Sequence, residues 1–273
     1  MSGIDEGEKF ALGSEDEQRP WQDAYRTLVR SFDSEDGSRY VGHSVPRNDV
    51  LYKVRGKAKY AANVSLPDML HGRFVRSTHP YARIKRVDVS KATALPGVRC
   101  ILTANDIPDE RLNVGSLVKD TPILAKDIVR HVGEPIVAIA ADTLELAHEA
   151  ASLVEIDYEP LEPVLTPEDA IKEGAPRLHP GGNLIANLSN SVGDVDAAFA
   201  SADVVLEGTY TNEPIEHCYL EPQGGISFID TDGVLTLLVC TQYPHFHHKQ
   251  LADVTGLPPE KIRVIQTVVG GAF

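Results

Sequence analysis

The stretch PIVAIAADTLELAHEAASLVEIDYEP, Pro135 to Pro160, constrains the fold more than any other part of the chain. It opens with seven consecutive apolar residues, Pro135 to Ala141, the pattern of a strand covered on both faces. Apolar positions then recur at helical spacing over residues 143–153, and a two-residue alternation returns over residues 154–158. Asp142 stands where a helix N-cap belongs, with Glu145 three residues on to complete a capping box. A period that switches from strand to helix and back within so short a run predicts a packed α/β unit rather than a bundle or a sandwich.

The flanking sequence extends this unit. Residues 70–77, 82–89 and 98–103 are β-rich runs broken by Pro, Gly and Asp, and Ser90 is expected to cap a brief helix over residues 91–94. Residues 166–190 shift to Pro, Glu, Gly and Asn, the composition of a linker. Beyond them a strand is expected over residues 202–211. Residues 224–228 and 234–240 form a hairpin around Asp230-Thr-Asp-Gly233. A helix over residues 244–254 begins with Pro244 in its first turn and stops at Gly256. A last strand, residues 261–269, runs into Gly270-Gly271-Ala272-Phe273. The expected organisation is α+β: an acidic, mostly extended arm over residues 1–45, an α/β domain over 46–165, a linker over 166–190, and over 191–273 the opening portion of a second domain.

Composition narrows the partners. Residues 1–45 carry ten acidic and five basic side chains and bury little, although Trp21, Tyr25, Leu28, Val29 and Phe32 fall at helical spacing and are expected to dock as an amphipathic turn. The whole chain has 40 acidic against 26 basic residues, a formal charge of −14, which disfavours phosphate backbones, so no nucleic acid partner is expected. No apolar run approaches the roughly 20 residues of a membrane span, and the first residues lack the basic and apolar regions of a signal peptide. No membrane span is expected, and the expected location is cytoplasmic. Three widely spaced cysteines, Cys100, Cys218 and Cys240, build neither a disulfide framework nor a complete zinc or iron–sulfur site. His245, His247 and His248 cluster at a helix start but lack further ligands, and read as surface histidines.

Five segments in order carry a resemblance. GKAKYAANVSLPDMLHGRFVRSTHPYARI and VGEPIVAIAADTLELAHEAASLVEIDYEPLEPV resemble the α/β hammerhead domain of the molybdenum hydroxylases, the xanthine dehydrogenase and aldehyde oxidase family. PIEHCYLEP, CTQYP and the terminal GGAF resemble the opening of that family's molybdopterin-binding domain. The resemblance covers roughly residues 49–273. It implies that Gln242, in the TQ motif, lies close to the oxygen or sulfur ligands of the molybdenum and is the catalytic contact from this chain. It also implies that Gly270, Gly271 and Ala272 form a cofactor-binding turn in which Phe273 presents its backbone to the metal centre. The chemistry of the residues agrees: a neutral amide donates to a metal-bound oxygen without adding charge, and glycines let backbone N–H groups approach an anion. In the family the metal is held by the pterin dithiolene, so no protein metal ligand is expected. Glu216, His217 and Glu221 are assigned to hydrogen bonding near the site or to domain structure.

Other family features lie outside this sequence. The turn should continue into Gly-Gly-Lys, and a later glutamate should act as general base for attack on substrate carbon. The second domain is therefore expected to be incomplete, either because the large subunit is divided between two chains, the favoured expectation, or because the sequence is a fragment. The implied partners are a second large-subunit chain completing the molybdopterin domain, a 2Fe-2S subunit, an FAD subunit and a small-molecule substrate. The implied cofactor is molybdopterin, its cytosine dinucleotide form included. The implied activity is hydroxylation of a heteroaromatic or aldehyde with oxygen from water. Two other readings stay open: a non-catalytic assembly scaffold, or a reductive dehydroxylase or hydroxyl transferase of the same family.

Overall fold

The computed structural model describes Tyr40, Ser44, Val45 and residues 47–272; the amphipathic turn expected near Trp21 and the terminal Phe273 lie outside the described residues. The chain divides into two compact units. The larger comprises Ser65–Tyr219 and Tyr243–Ile262; the smaller comprises Leu220–Gln242, Arg263–Ala272 and the described residues up to Val64.

The larger unit is built on five strands: β1 (His71–Arg76), β2 (Ala82–Asp88), β3 (Val98–Thr103), β4 (Pro135–Ala141) and β5 (Glu155–Pro160). The apolar β4 takes the central place in the order β1-β4-β3, antiparallel to both neighbours, with His71 opposite Ala141 and Thr103 opposite Val137. Its side chains are accordingly covered on both faces: Ile136, Val137, Ile139 and Ala141 are all buried. In a second sheet β2 lies between β5 and the two-residue strand Ile128–Val129. Ala82 of β2, Val129, the inner residues of β4 and Ala150 form one core cluster, which joins the two sheets. Truncating Ile136 to Ala would cost about 2 to 5 kcal/mol, the range for a fully buried large aliphatic side chain.

Helix α1 (Leu144–Ser152) follows β4 and buries Ala147 and Ala150. Its N-cap is Thr143, whose hydroxyl accepts from the Leu146 N–H at 3.1 Å, and not Asp142 as the sequence suggested. Asp142 is taken up by Arg99 of β3, with two nitrogen–oxygen distances of 2.7 and 2.8 Å. Ser90 is likewise not a cap. It is the first residue of the short helix Ser90–Thr93, and its N–H donates to the Asp88 carboxylate at 2.9 Å.

Residues 202–211 form no strand. Val204, Leu206 and Tyr210 alternate as strand residues do, yet they are 74%, 91% and 94% exposed, and no described strand pairs with them. A strand needs a ladder partner, and alternation alone supplies none. The regular structure in this region is α2 (Val195–Ser201), capped by Asp194, whose carboxylate accepts from the Ala197 N–H at 2.9 Å. Helix α3 (Pro244–Thr255) matches its expected start at Pro244, and Gly256, at φ +70°, ends it in the left-handed conformation. Arg111 donates to the Thr255 carbonyl at 3.1 Å, placing a cation at the negative end of that helix.

The smaller unit holds the hairpin β6 (Gly225–Ile229) and β7 (Leu235–Val239) with β8 (Ile262–Gln266), in the order β8-β7-β6. The strands β6 and β7 are antiparallel, with Leu235 opposite Ile229 and Val239 opposite Gly225. The N–H of Thr267, just past β8, donates to the Val239 carbonyl at 3.1 Å, so β7 and β8 end side by side and run in the same direction.

Candidate functional site

The two ends of this three-stranded sheet do different work. At the hairpin end, Asp230 organises the turn: Oδ1 accepts from the N–H groups of Asp232 and Val234, both at 2.9 Å, and Oδ2 accepts from Thr236 Oγ1 at 3.3 Å. These contacts, the Val234 N–H foremost, hold the Asp230 carboxyl below the usual carboxylate range. Gly233, at φ +73°, supplies the left-handed residue that closes the loop.

At the other end three segments converge. Residues 220–224 lead into β6, Thr241 and Gln242 leave β7, and residues 267–272 leave β8. The Cys240 N–H donates to the Gly224 carbonyl at 3.3 Å, and the Gly224 N–H donates to Cys240 Sγ at 3.3 Å, extending the hairpin ladder toward Glu221. Glu221 Oε2 in turn accepts from the Gly270 N–H at 2.5 Å. The sheet thus gathers at one edge the three motifs that the sequence spreads over more than 50 residues: Glu221 of YLEP, Gln242 of TQ, and the Gly270–Gly271 turn. Edges formed by the carboxyl ends of adjacent parallel strands are where α/β sheets place their ligands.

The two glycines are required for different reasons. Gly271 has φ +144°, a backbone that side chains rarely adopt. Gly270 is needed for space, because a Cβ there would overlap the Glu221 Cβ. Thr241 is buried and anchors the strand exit, whereas the neighbouring Gln242 is exposed. Ala272 is exposed as well. Glu216 and His217 lie on the exposed segment before Tyr219, in the larger unit, where Glu216 Oε1 accepts from the Cys218 N–H at 3.4 Å. His248 lies within hydrogen-bonding distance of the carbonyls of Pro259 and Ile262, at 3.0 and 3.2 Å, and so fastens α3 to the loop that follows it. Sequence reasoning left Glu221 without a defined partner; its place two residues before a Gln-Gly-Gly strand entry was the available signal.

The residues at this edge suit a group that carries its own metal and anionic oxygens. Among the described residues no cluster of three or more His, Cys, Asp or Glu side chains could hold an ion. What the edge offers instead is a neutral exposed amide and a glycine turn stripped of side chains. One expected donor is already committed: the Gly270 N–H belongs to Glu221, so an anion would be met by the N–H groups of Gly271 and Ala272. One oxygen of Glu221, Oε1, is buried with no partner among the described residues, the kind of orphan found beside binding sites.

The structure shows an α/β unit of two sheets and, in the other unit, a sheet edge that presents a glutamine and a glycine turn. Comparison with known proteins specifies both further. Residues 55–162 match the aldehyde oxidase and xanthine dehydrogenase a/b hammerhead domain, and residues 178–273 match the molybdopterin cofactor-binding domain. The nicotinate dehydrogenase large molybdopterin subunit of Eubacterium barkeri is 41% identical over 233 residues, which are 85% of this chain and 55% of that protein. A probable xanthine dehydrogenase component from Bacillus subtilis is 39% identical over 83% of this chain and 30% of its own length. Among solved structures, quinoline 2-oxidoreductase from Pseudomonas putida 86 superposes with a TM-score of 0.76 at 30% identity, covering 85% of this chain and 31% of that one. The chain belongs to the aldehyde oxidase and xanthine dehydrogenase family, as the sequence motifs implied, and carries its hammerhead and molybdopterin-binding folds. It spans about half or less of the length of these relatives.

Proposed function

We propose that this chain forms one wall of a molybdopterin site in a larger oxidoreductase, and that the assembly hydroxylates an electron-poor carbon of a small molecule with oxygen from water. The observation that carries this reading is the convergence of Glu221, Gln242 and the Gly270–Gly271 turn at a single sheet edge. The bound cofactor, the cytosine dinucleotide form included, supplies the redox chemistry; the protein supplies binding, orientation and electrostatics. Gln242 would offer amide N–H donors to the bound group, and its position three residues beyond Val239 and the β8 contact fixes where that amide can reach. Gly271 and Ala272 offer backbone N–H groups to anionic oxygens. The names of the relatives, nicotinate and xanthine dehydrogenase and quinoline 2-oxidoreductase, favour a nitrogen heteroaromatic over an aldehyde as substrate.

The cofactor domain of the relatives extends well beyond the residues matched here, and the electrons would leave through 2Fe-2S and FAD subunits. The assembly is assigned to the cytoplasm. We place the functional boundaries at an arm over residues 1–45, a hammerhead domain over 46–165, a linker over 166–190 and the cofactor-binding portion over 191–273. Gln242→Ala tests the reading: in the assembled complex it should lower kcat on the order of 100-fold, the loss for one preorganised donor, without changing the amount of complex. Full activity in that variant would remove Gln242 from the site.

A further inference from the structure

We infer that Glu221 is a positioning residue for the cofactor turn, holding Gly270 so that the N–H groups of Gly271 and Ala272 are the ones left for the ligand; this rests on the cofactor-binding reading above. Four observations build it. Glu221 stands on a segment tied to the end of β7 by the paired contacts between Gly224 and Cys240, so its backbone is held by the sheet rather than by a loose loop. Its Oε2 accepts from the Gly270 N–H at 2.5 Å, a contact between groups 49 residues apart that a charged acceptor strengthens. The fit is built from both sides: Gly270 has no side chain where a Cβ would overlap the Glu221 Cβ. The second oxygen, Oε1, is shut off from water with no partner among the described residues, so the turn is the one described anchor of this carboxylate.

The consequence is directional. A free Gly-Gly turn samples many backbone states, and Gly271 in particular occupies one that only glycine adopts easily. Fixing the N–H of Gly270 removes that freedom at its root. It also withdraws one donor from any anion and sets the orientation of the two that follow. Glu221 touches the turn and not the reacting atoms, so its effect on chemistry passes through Gly270.

The test compares wild type, Glu221→Leu and Glu221→Gln in the assembled complex purified through this chain. Three quantities are read: amide hydrogen exchange of the peptide spanning residues 267–272, molybdenum per complex after long dialysis, and kcat against KM. Loss of a charge-assisted bond should raise exchange at Gly270 about tenfold in Glu221→Leu and lower retained molybdenum, with kcat falling more than KM changes. Glu221→Gln keeps a carbonyl oxygen for the same N–H and should restore exchange and retention to near wild type. Wild-type protection of Gly270 in Glu221→Leu would overturn the proposal, and so would exchange in Glu221→Gln as fast as in Glu221→Leu. Should Glu221→Leu fail to assemble, Glu221→Gln against wild type decides: a protected Gly270 supports the role and an unprotected one ends it. A wild-type complex lacking molybdenum would instead end the cofactor reading, while the exchange data still report whether Glu221 holds the turn.

Discussion

Asp230, in the hairpin turn, and Arg263, on β8, meet with 3.3 Å between carboxylate oxygen and guanidinium nitrogen. The Asp230 side chain is only 2% exposed, so the contact links all three strands of the smaller unit at the end opposite the candidate site.

This arrangement gives a pH dependence of known sign. The Val234 N–H and the other donors hold the Asp230 carboxyl below its unfolded value of about 3.9. Its contribution to stability is therefore complete above that unfolded value and is lost as pH falls through the lower folded one. Asp230→Asn should unfold at lower urea than wild type at pH 7, and the gap should narrow toward pH 3. A gap that stays constant with pH would show that the charge of Asp230 does not stabilise the fold.

Helix α1 allows its cap to be assigned by substitution. Thr143→Ala removes the acceptor for the Leu146 N–H and should cost about 1 kcal/mol in urea unfolding. Asp142→Ala removes only an exposed pair with Arg99 and should cost less. The reverse order would return the cap to Asp142.

The two glycines of the turn should respond differently to alanine. Gly271→Ala places a side chain on a positive φ and should cost about 1 to 2 kcal/mol whatever stands nearby. Gly270→Ala should be damaging because of Glu221, and the damage should shrink when Glu221 is also replaced by Gly. A double-mutant cycle on residues 221 and 270 should show a coupling of about 0.5 to 3 kcal/mol, and one on 221 and 271 should show less.

What could be read from the sequence was what local pattern determines. The apolar run of β4, the hairpin around Asp230 and helix α3 between Pro244 and Gly256 appear where composition and turn residues put them. The failures trace to partners distant in sequence. Asp142 and Thr143 are both good caps, and the choice falls to Thr143 because Arg99, 43 residues away, binds Asp142. Residues 202–211 alternate like a strand, but no described strand lies beside them to make one. Helix α2 was missed although Asp194 before an alanine-rich run is a legible start. At the candidate site the motifs named the residues, while the contact that joins Glu221 to Gly270 could come only from the sheet that brings β6 and β8 to either side of β7.

The central claim is that this chain helps to hold a molybdenum cofactor in a larger oxidoreductase, and native mass spectrometry with metal analysis on one sample tests it most directly. The complex purified through this chain should contain further subunits together with molybdenum and iron. A chain that runs alone and free of both metals would contradict the claim, and the roles given to Gln242 and the glycine turn would fall with it.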